Sequence, residues 1–269
     1  MSLPEHGYPL AAARSPRVQV AESTDSTNAD AVAHLQAAPD EWPHLSVLLT
    51  TDQRAGRGRL DRTWTTPPGT ALALSVAVRV GGIPIASRGW IPLVAGAAMT
   101  RAIAAQVRGT GHDARLKWPN DVLLDGAKIC GILAEVVPGH PDAVVIGSGV
   151  NTRMPAADLP VDTAISFEAV GLVADEDQLI ADYLTALDEQ LDALIAARGS
   201  ASAAGVRAEI EALCATIGSD VIVTLPDGEV LRGRAQRIDD DGRLVVVQQS
   251  EYESAVSAGD VVHVRSAAG

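Results

Sequence analysis

The hydrophobic pattern changes period several times along the chain, and each change marks an element. Residues 18–22 alternate apolar and polar positions, which predicts a short strand. The hydroxyl-rich stretch 23–27 follows, with Ser26 or Thr27 placed to cap a helix over 28–38. Residues 46–51 read as a buried strand, 70–80 as a strongly β segment and 89–107 as an apolar helix. Residues 52–69 are dense in Gly, Arg and Pro, and so long a loop inside a compact domain is usually functional or disordered. A second β region begins at 115–118 and is broken by Pro119 and Asn120. Strands are predicted over 121–124, 128–137 and 143–150, the first two joined by a turn at 125–127. Helices follow over about 176–197 and 201–215.

From about Ile217 the character shifts. Short β runs alternate with turn signals at Pro226-Asp227-Gly228, Asp239-Asp240-Asp241-Gly242 and Ser257-Ala258-Gly259-Asp260, which predicts five strands in a small SH3-like barrel. The expected architecture is α+β: a mixed sheet with flanking helices, plus that barrel. It divides into a loose N-terminal leader (1–17), a main domain (18–216) and a C-terminal domain (217–269).

Composition narrows the function classes. With 47% apolar and 20% charged residues the chain is a folded protein, and a net charge of −13 repels nucleic-acid phosphates and anionic membranes unless a local basic patch intervenes. No signal-peptide pattern and no apolar run of membrane-spanning length is present, so neither a membrane nor a nucleic-acid partner is expected. Cys130 and Cys214 sit in apolar stretches and read as reduced, buried thiols of a cytoplasmic protein. The six histidines show no zinc-site spacing. Only two lysines, Lys117 and Lys128, stand against nineteen arginines, and both fall in one short window. Either chance has clustered two rare residues, or the site needs a compact ammonium there.

Four segments carry candidate chemistry. The first runs from Gln53 through Gly56-Arg57-Gly58-Arg59 to Arg62 and Trp64. Its bending glycines and guanidinium forks suit phosphate oxygens, although it is neither a Walker loop nor a dinucleotide fingerprint. Alone it reads rather as an Arg/Gly-rich surface loop or a nucleic-acid-binding patch. The second is Lys117-Trp118-Pro119-Asn120-Asp121, with Lys128 seven residues further on. If the two following strands pair, Asp121 and Lys128 approach each other, as a ligand-binding pair or a plain cross-strand ion pair. The third is Gly147-Ser148-Gly149-Val150-Asn151, whose alternation puts two bare positions and one amide on one face, with Gly131 extending it; strand glycines mark sites of close approach. The fourth is Ser26-Thr27-Asn28, of which helix capping needs only one.

Taken together and in this order, these segments resemble the biotin–protein ligase family over about residues 18–265. The resemblance implies a catalytic fold related to class II aminoacyl-tRNA synthetases and lipoate ligases. The implied reaction joins biotin to ATP as biotinyl-5′-AMP, with Mg2+, and then transfers biotin to a lysine of a biotin carboxyl carrier protein. Ser26, Thr27, Asn28 and Gln53 would hold the ureido ring, with the apolar chain near Gly131. Arg57, Gly58 and Arg59 would close over the carboxylate and α-phosphate, Arg62 would reach the phosphates, and Trp64 would pack on the loop or the adenine. Asn120, Asp121 and Asn151 would sit on the nucleotide, Asp121 also on magnesium, and Arg265 near the nucleotide. Lys128 would contact both anions and, with Arg59 and Arg62, carry the chemistry. The family's winged-helix, DNA-binding module is not expected in the short segment before Ser26. A monomer or weak homodimer is expected. Lipoate–protein ligase, octanoyl transferase using Cys130 as nucleophile, and a nucleic-acid-binding module are the rival readings.

Overall fold

A computed structural model describes residues 7–59, 62–257 and 260–263. Seven strands form the main sheet: β1 (Val18–Val20), β2 (Ser46–Thr50), β5 (Ala71–Arg79), β6 (Ala114–Lys117), β7 (Asp121–Leu124), β8 (Ala127–Val137) and β9 (His140–Asn151). The two remaining strands of this part, β3 (Gly56–Arg57) and β4 (Thr63–Trp64), make a separate small hairpin. The order across the main sheet is β1-β2-β5-β9-β8-β7-β6, with β1 parallel to β2 and every other neighbour antiparallel. It is the mixed sheet the sequence predicts.

Helices cover the sheet unequally. On one face lie α3 (Ile91–Gln106) and α4 (Glu176–Ala196), packed over Leu72, Leu74, Val76, Ile146 and Val150 in the large core. Asp175 caps α4 by accepting from Gln178 N–H at 3.1 Å, a contact worth about 1 kcal/mol. On the other face lies only α2 (Thr27–Ala37), whose Ala31 and Leu35 pack on Leu48, Ala77 and Val145 in a smaller core. Because side chains alternate along strands, this second face also carries Ala73, Ser75, Gly147 and Gly149. One eleven-residue helix does not cover that width. The remainder is roofed by the β3–β4 hairpin instead.

Several boundaries differ from the expectation. The segment expected as a loose leader contains a short helix, α1 (Pro9–Ala12), with Tyr8 and Ala11 buried. Asp177 accepts from the backbone N–H groups of Leu10 and Ala11 at 2.9 Å each, a long-range tie that no local pattern announces. The apolar helix starts later than expected, after a 3₁₀ stretch over Ile85–Trp90. The last helix shortens to α5 (Val206–Leu213): turns and a bend occupy 201–205, and Cys214 pairs with Leu116 at the sheet edge.

The C-terminal part is a five-stranded antiparallel sheet, β10 (Asp220–Thr224), β11 (Val230–Ile238), β12 (Leu244–Val247), β13 (Glu253–Val256) and β14 (Asp260–His263), in the order β13-β12-β11-β10-β14. Two indoles dock it on the main sheet. Trp90 Nε1 donates to Asp240 O at 2.8 Å and Trp118 Nε1 to Gly242 O at 3.2 Å. Thr216 Oγ1 accepts from Trp118 N–H at 3.0 Å and lies 3.1 Å from His263 Nε2. Burial, and then the charge of Lys117, hold His263 below its ordinary value of 6.5.

Candidate active site

The face that α2 leaves uncovered holds a cavity of about 170 Å³, bounded by the start of α2, strands β5, β8 and β9, the β6–β7 turn and the hairpin. A crevice of about 940 Å³ adjoins it beyond the hairpin, toward the C-terminal sheet. Ser26, Thr27, Asn28, Gln53, Arg57, Gly58, Arg59, Arg62, Trp64, Asn120, Asp121, Lys128 and Gly131 all line the cavity. Segments separated by about a hundred residues of chain thus converge on one site. Asn151 is not among the lining residues: it ends β9 with its amide donating to Ile165 O at 2.9 Å. Arg265 lies outside the described residues.

One end of the cavity is buried and neutral. Ser26 is the N-cap of α2, its Oγ accepting from Ala29 N–H. Gln53 Oε1 accepts from Thr27 N–H at 2.8 Å and Thr27 Oγ1 at 3.1 Å. Ser75 Oγ, fully buried on β5, bridges Thr27 Oγ1 at 2.8 Å and Asn28 Oδ1 at 2.6 Å. Asn28 Nδ2 donates to Leu133 O at 3.2 Å and Glu135 Oε2 at 2.8 Å. Thr27, Asn28, Gln53 and Ser75 are thereby bonded to one another or to their surroundings, as buried polar groups must be. Ser75 and Glu135 escaped the sequence reading, since an isolated Ser or Glu in a strand carries no local signal.

The glycines of β9 have a direct physical cause. A Cβ on Gly147 would lie 2.2 Å from Asn28 Oδ1, and one on Gly149 would lie 2.7 Å from Trp64 Cζ2. The groups approaching these bare positions are the protein's own amide and indole. Trp64 thereby seats the hairpin on the sheet, and Arg59 Nη1, donating to Asn120 Oδ1 at 3.0 Å, ties it to the β6–β7 turn.

The other end is charged. Arg57, Arg59, Arg62, Lys117 and Lys128 line the cavity with Asp121 as the sole acidic lining residue among those described. In a chain of net charge −13 this is a concentrated cationic site. Lys128 Nζ stands 2.6 Å from Asp121 Oδ1. Its placement depends on a bulge: Leu123 pairs with Lys128 but Val122 pairs with Cys130, so Ile129 is the extra residue. The bulge brings Lys128 beside Gly131 on the cavity face and turns Cys130 into the large core. Lys128 is held from its other side too, its N–H donating to Thr163 O and its C=O accepting from Ile165 N–H. Cys130 is 1% exposed, and burial drives its thiol pKa well above the ordinary thiol range. It is no nucleophile, which removes the feature on which the octanoyl transferase reading rests.

Asp121 already neutralises Lys128, and no group of three or more metal-ligating side chains occurs among the described residues. No helix among the described residues is long and apolar enough to cross a membrane.

Residues 20–151 match the Biotin/lipoate A/B protein ligase family, and residues 216–264 match the Biotin protein ligase C terminal domain. Over 249 residues the chain is 38% identical to a biotin–[acetyl-CoA-carboxylase] ligase of Mycobacterium tuberculosis, covering 93% of this chain and 90% of that one. The chain belongs to the biotin protein ligase family. It is also 31% identical to the bifunctional ligase/repressor BirA of Escherichia coli, over 85% of this chain and 68% of that protein. Among solved structures of the family, the biotin protein ligase from Aquifex aeolicus in complex with biotin and ATP shares the fold, with a TM-score of 0.73 at 21% identity over 93% of this chain and 99% of that one. The nucleic-acid-binding and lipoate alternatives are not favoured by these likenesses.

Proposed function

We infer that this protein activates biotin with ATP to biotinyl-5′-AMP and transfers the biotinyl group to a lysine of a biotin carboxyl carrier protein. The observation that carries the reading is the cavity itself, in which Arg57, Arg59, Arg62 and Lys128 gather at one end and neutral, hydrogen-bonding groups at the other. A carboxylate attacking a phosphate brings two anions together, and the cations of Arg57, Arg59, Arg62 and Lys128 offset that repulsion and hold the partners in line. Lys128, braced by Asp121 on one side and the 163–165 backbone on the other, reaches both reacting groups. The ureido ring fits the Ser26, Thr27, Asn28 and Gln53 end, whose donors and acceptors are already oriented. Arg62, Trp64, Asn120 and Asp121 face the nucleotide. Magnesium would arrive as the counter-ion of the nucleotide phosphates.

No protein nucleophile is needed, because the mixed anhydride is itself the acyl donor for the acceptor lysine. The hairpin excludes water from it. The division into a main domain (18–216) and a C-terminal domain (217–269), and a cytoplasmic location where ATP and carboxylases meet, belong to the same reading.

The test is incubation with ATP, magnesium, radiolabelled biotin and a carrier domain. Label is expected on the carrier, and the Lys128→Ala variant is expected to lose adenylate formation by about 100-fold or more, as when a charge-stabilising group is removed from a transition state. Transfer of lipoate or octanoate in place of biotin would overturn the reading.

A further inference from the structure

Glu135 takes no part in the chemistry above, yet it touches both ends of the cavity. It lies on β8, with a side chain 25% exposed. Its Oε2 accepts from Asn28 Nδ2 at 2.8 Å and from Arg57 Nη2 at 2.9 Å. One donor belongs to the buried neutral end and the other to the hairpin. We propose that Glu135 is a positioning residue: it orients the Asn28 amide and, through the same oxygen, holds Arg57 and the β3–β4 hairpin over the cavity. The assignment rests on the biotin ligase reading and adds to it a residue that governs retention of the intermediate.

The first half follows from donor and acceptor chemistry. A carboxylate only accepts, so Asn28 must turn its NH2 group toward Glu135 and its Oδ1 toward Ser75. Ser75 alone does not fix this, because a hydroxyl satisfies either orientation. Leu133 O, at 3.2 Å, favours the same orientation over a longer contact. The second half follows from charge and position. Arg57 and Glu135 form a part-exposed ion pair, with the arginine side chain 49% exposed. Such pairs add little to fold stability. What this pair does fix is the distance between hairpin and sheet, next to the seat of Trp64 on Gly149. A second anion bound beside Arg57 competes with Glu135 for the guanidinium, so the hold on the hairpin answers to what occupies the cavity.

Two substitutions separate the halves. Glu135→Gln keeps a carbonyl acceptor of the same length and removes the charge; Glu135→Ala removes both. The measurements are biotin-dependent ATP–pyrophosphate exchange, the biotin KM, and release of preformed labelled biotinyl-AMP in a chase with unlabelled biotin. For Glu135→Ala, release is expected to be about tenfold faster and the biotin KM several-fold higher, as for loss of charge-assisted bonds. For Glu135→Gln, release is expected to be about threefold faster with the KM nearly unchanged, since only the charge is lost. Combining Glu135→Ala with Arg57→Ala is expected to speed release by less than the product of the two single effects, because the Arg57–Glu135 contact is lost in both. Melting temperatures near wild type would separate these effects from a folding defect, and Glu135→Gln supplies the readout if Glu135→Ala does not fold. Release and KM unchanged in both variants, or additive effects in the pair, would overturn the role of Glu135 alone. Absence of exchange in the wild type would overturn the biotin ligase reading itself.

Discussion

At the α2 end of the cavity, Ser26, Thr27, Asn28 and Gln53 are each no more than 9% exposed and are bonded to one another, to Ser75 or to nearby backbone. At the hairpin end, the side chains of Arg57 and Lys128 are 49% and 43% exposed, each resting on one carboxylate. The first end is built before any ligand arrives; its polar groups have been desolvated and oriented during folding. The second keeps its cations in contact with water and paired with acids that a ligand anion can replace. Selection of a neutral ring gains from the first arrangement, because misfit leaves buried groups unpaired at about 1–3 kcal/mol each. Handling charge that changes through a reaction cycle gains from the second, because little has to be undone when products leave.

The sharpest way to break that contrast is to substitute across it. Lys128→Ala should depress kcat far more than it raises the biotin KM, whereas Ser75→Val should raise the KM about tenfold or more and largely spare kcat. Ser75→Val also strips Thr27 Oγ1 and Asn28 Oδ1 of a buried partner, so a stability loss of about 1–3 kcal/mol is expected in chemical denaturation. If both variants moved the same kinetic parameter, the two ends would not be separate devices.

A smaller effect is expected from Gly149→Ala. The added methyl would stand 2.7 Å from the Trp64 ring, so the indole must shift and the hairpin with it. Biotinyl-AMP should then escape several-fold faster and label bystander proteins, with the biotin KM affected less. An equivalent escape is expected for Arg59→Gly, which removes the tie to Asn120. Retention as in the wild type for both would show that the hairpin does not seal the site.

The smallest effect lies furthest from the cavity. His263 is held below 6.5 in the folded protein, chiefly by burial. The unfolded chain therefore binds a proton that the folded one refuses, and stability falls as pH drops through 6.5 toward the folded-state value. The contribution is fully present above 6.5. His263→Gln should flatten this part of the stability–pH curve while keeping a partner for Thr216; an unchanged slope would remove His263 from the docking of the C-terminal sheet.

Much of this site was legible in the residues. The Gly-Arg loop, the Lys117–Asp121 motif with Lys128, the alternating glycines and Ser26-Thr27-Asn28 are short local strings with unusual chemistry, and all but Asn151 among their assigned residues line one cavity. Trp118 serves two ends within that motif: it lines the cavity, and its indole N–H is spent on Gly242 O, anchoring the C-terminal sheet behind the turn. Asn151 shares a strand face with Gly147 and Gly149, but its amide is taken by Ile165 O before it reaches the cavity.

The amino-acid order alone determined the element types apart from α1 and the β3–β4 hairpin, the concentration of cation in an acidic chain and the bare face of β9, because each depends on nearest neighbours and on composition. Tertiary structure decided which groups meet. Lys128 and Gly131 are three residues apart and would face opposite sides of a regular strand; one extra residue, Ile129, puts them on the same side and sends Cys130 into the core. Ser75, Glu135 and Thr216 acquire meaning only from partners some 50 to 100 residues away. A bulge costs the chain no distinctive residue, and a long-range hydrogen bond leaves no period, so neither can be read before the strands have paired.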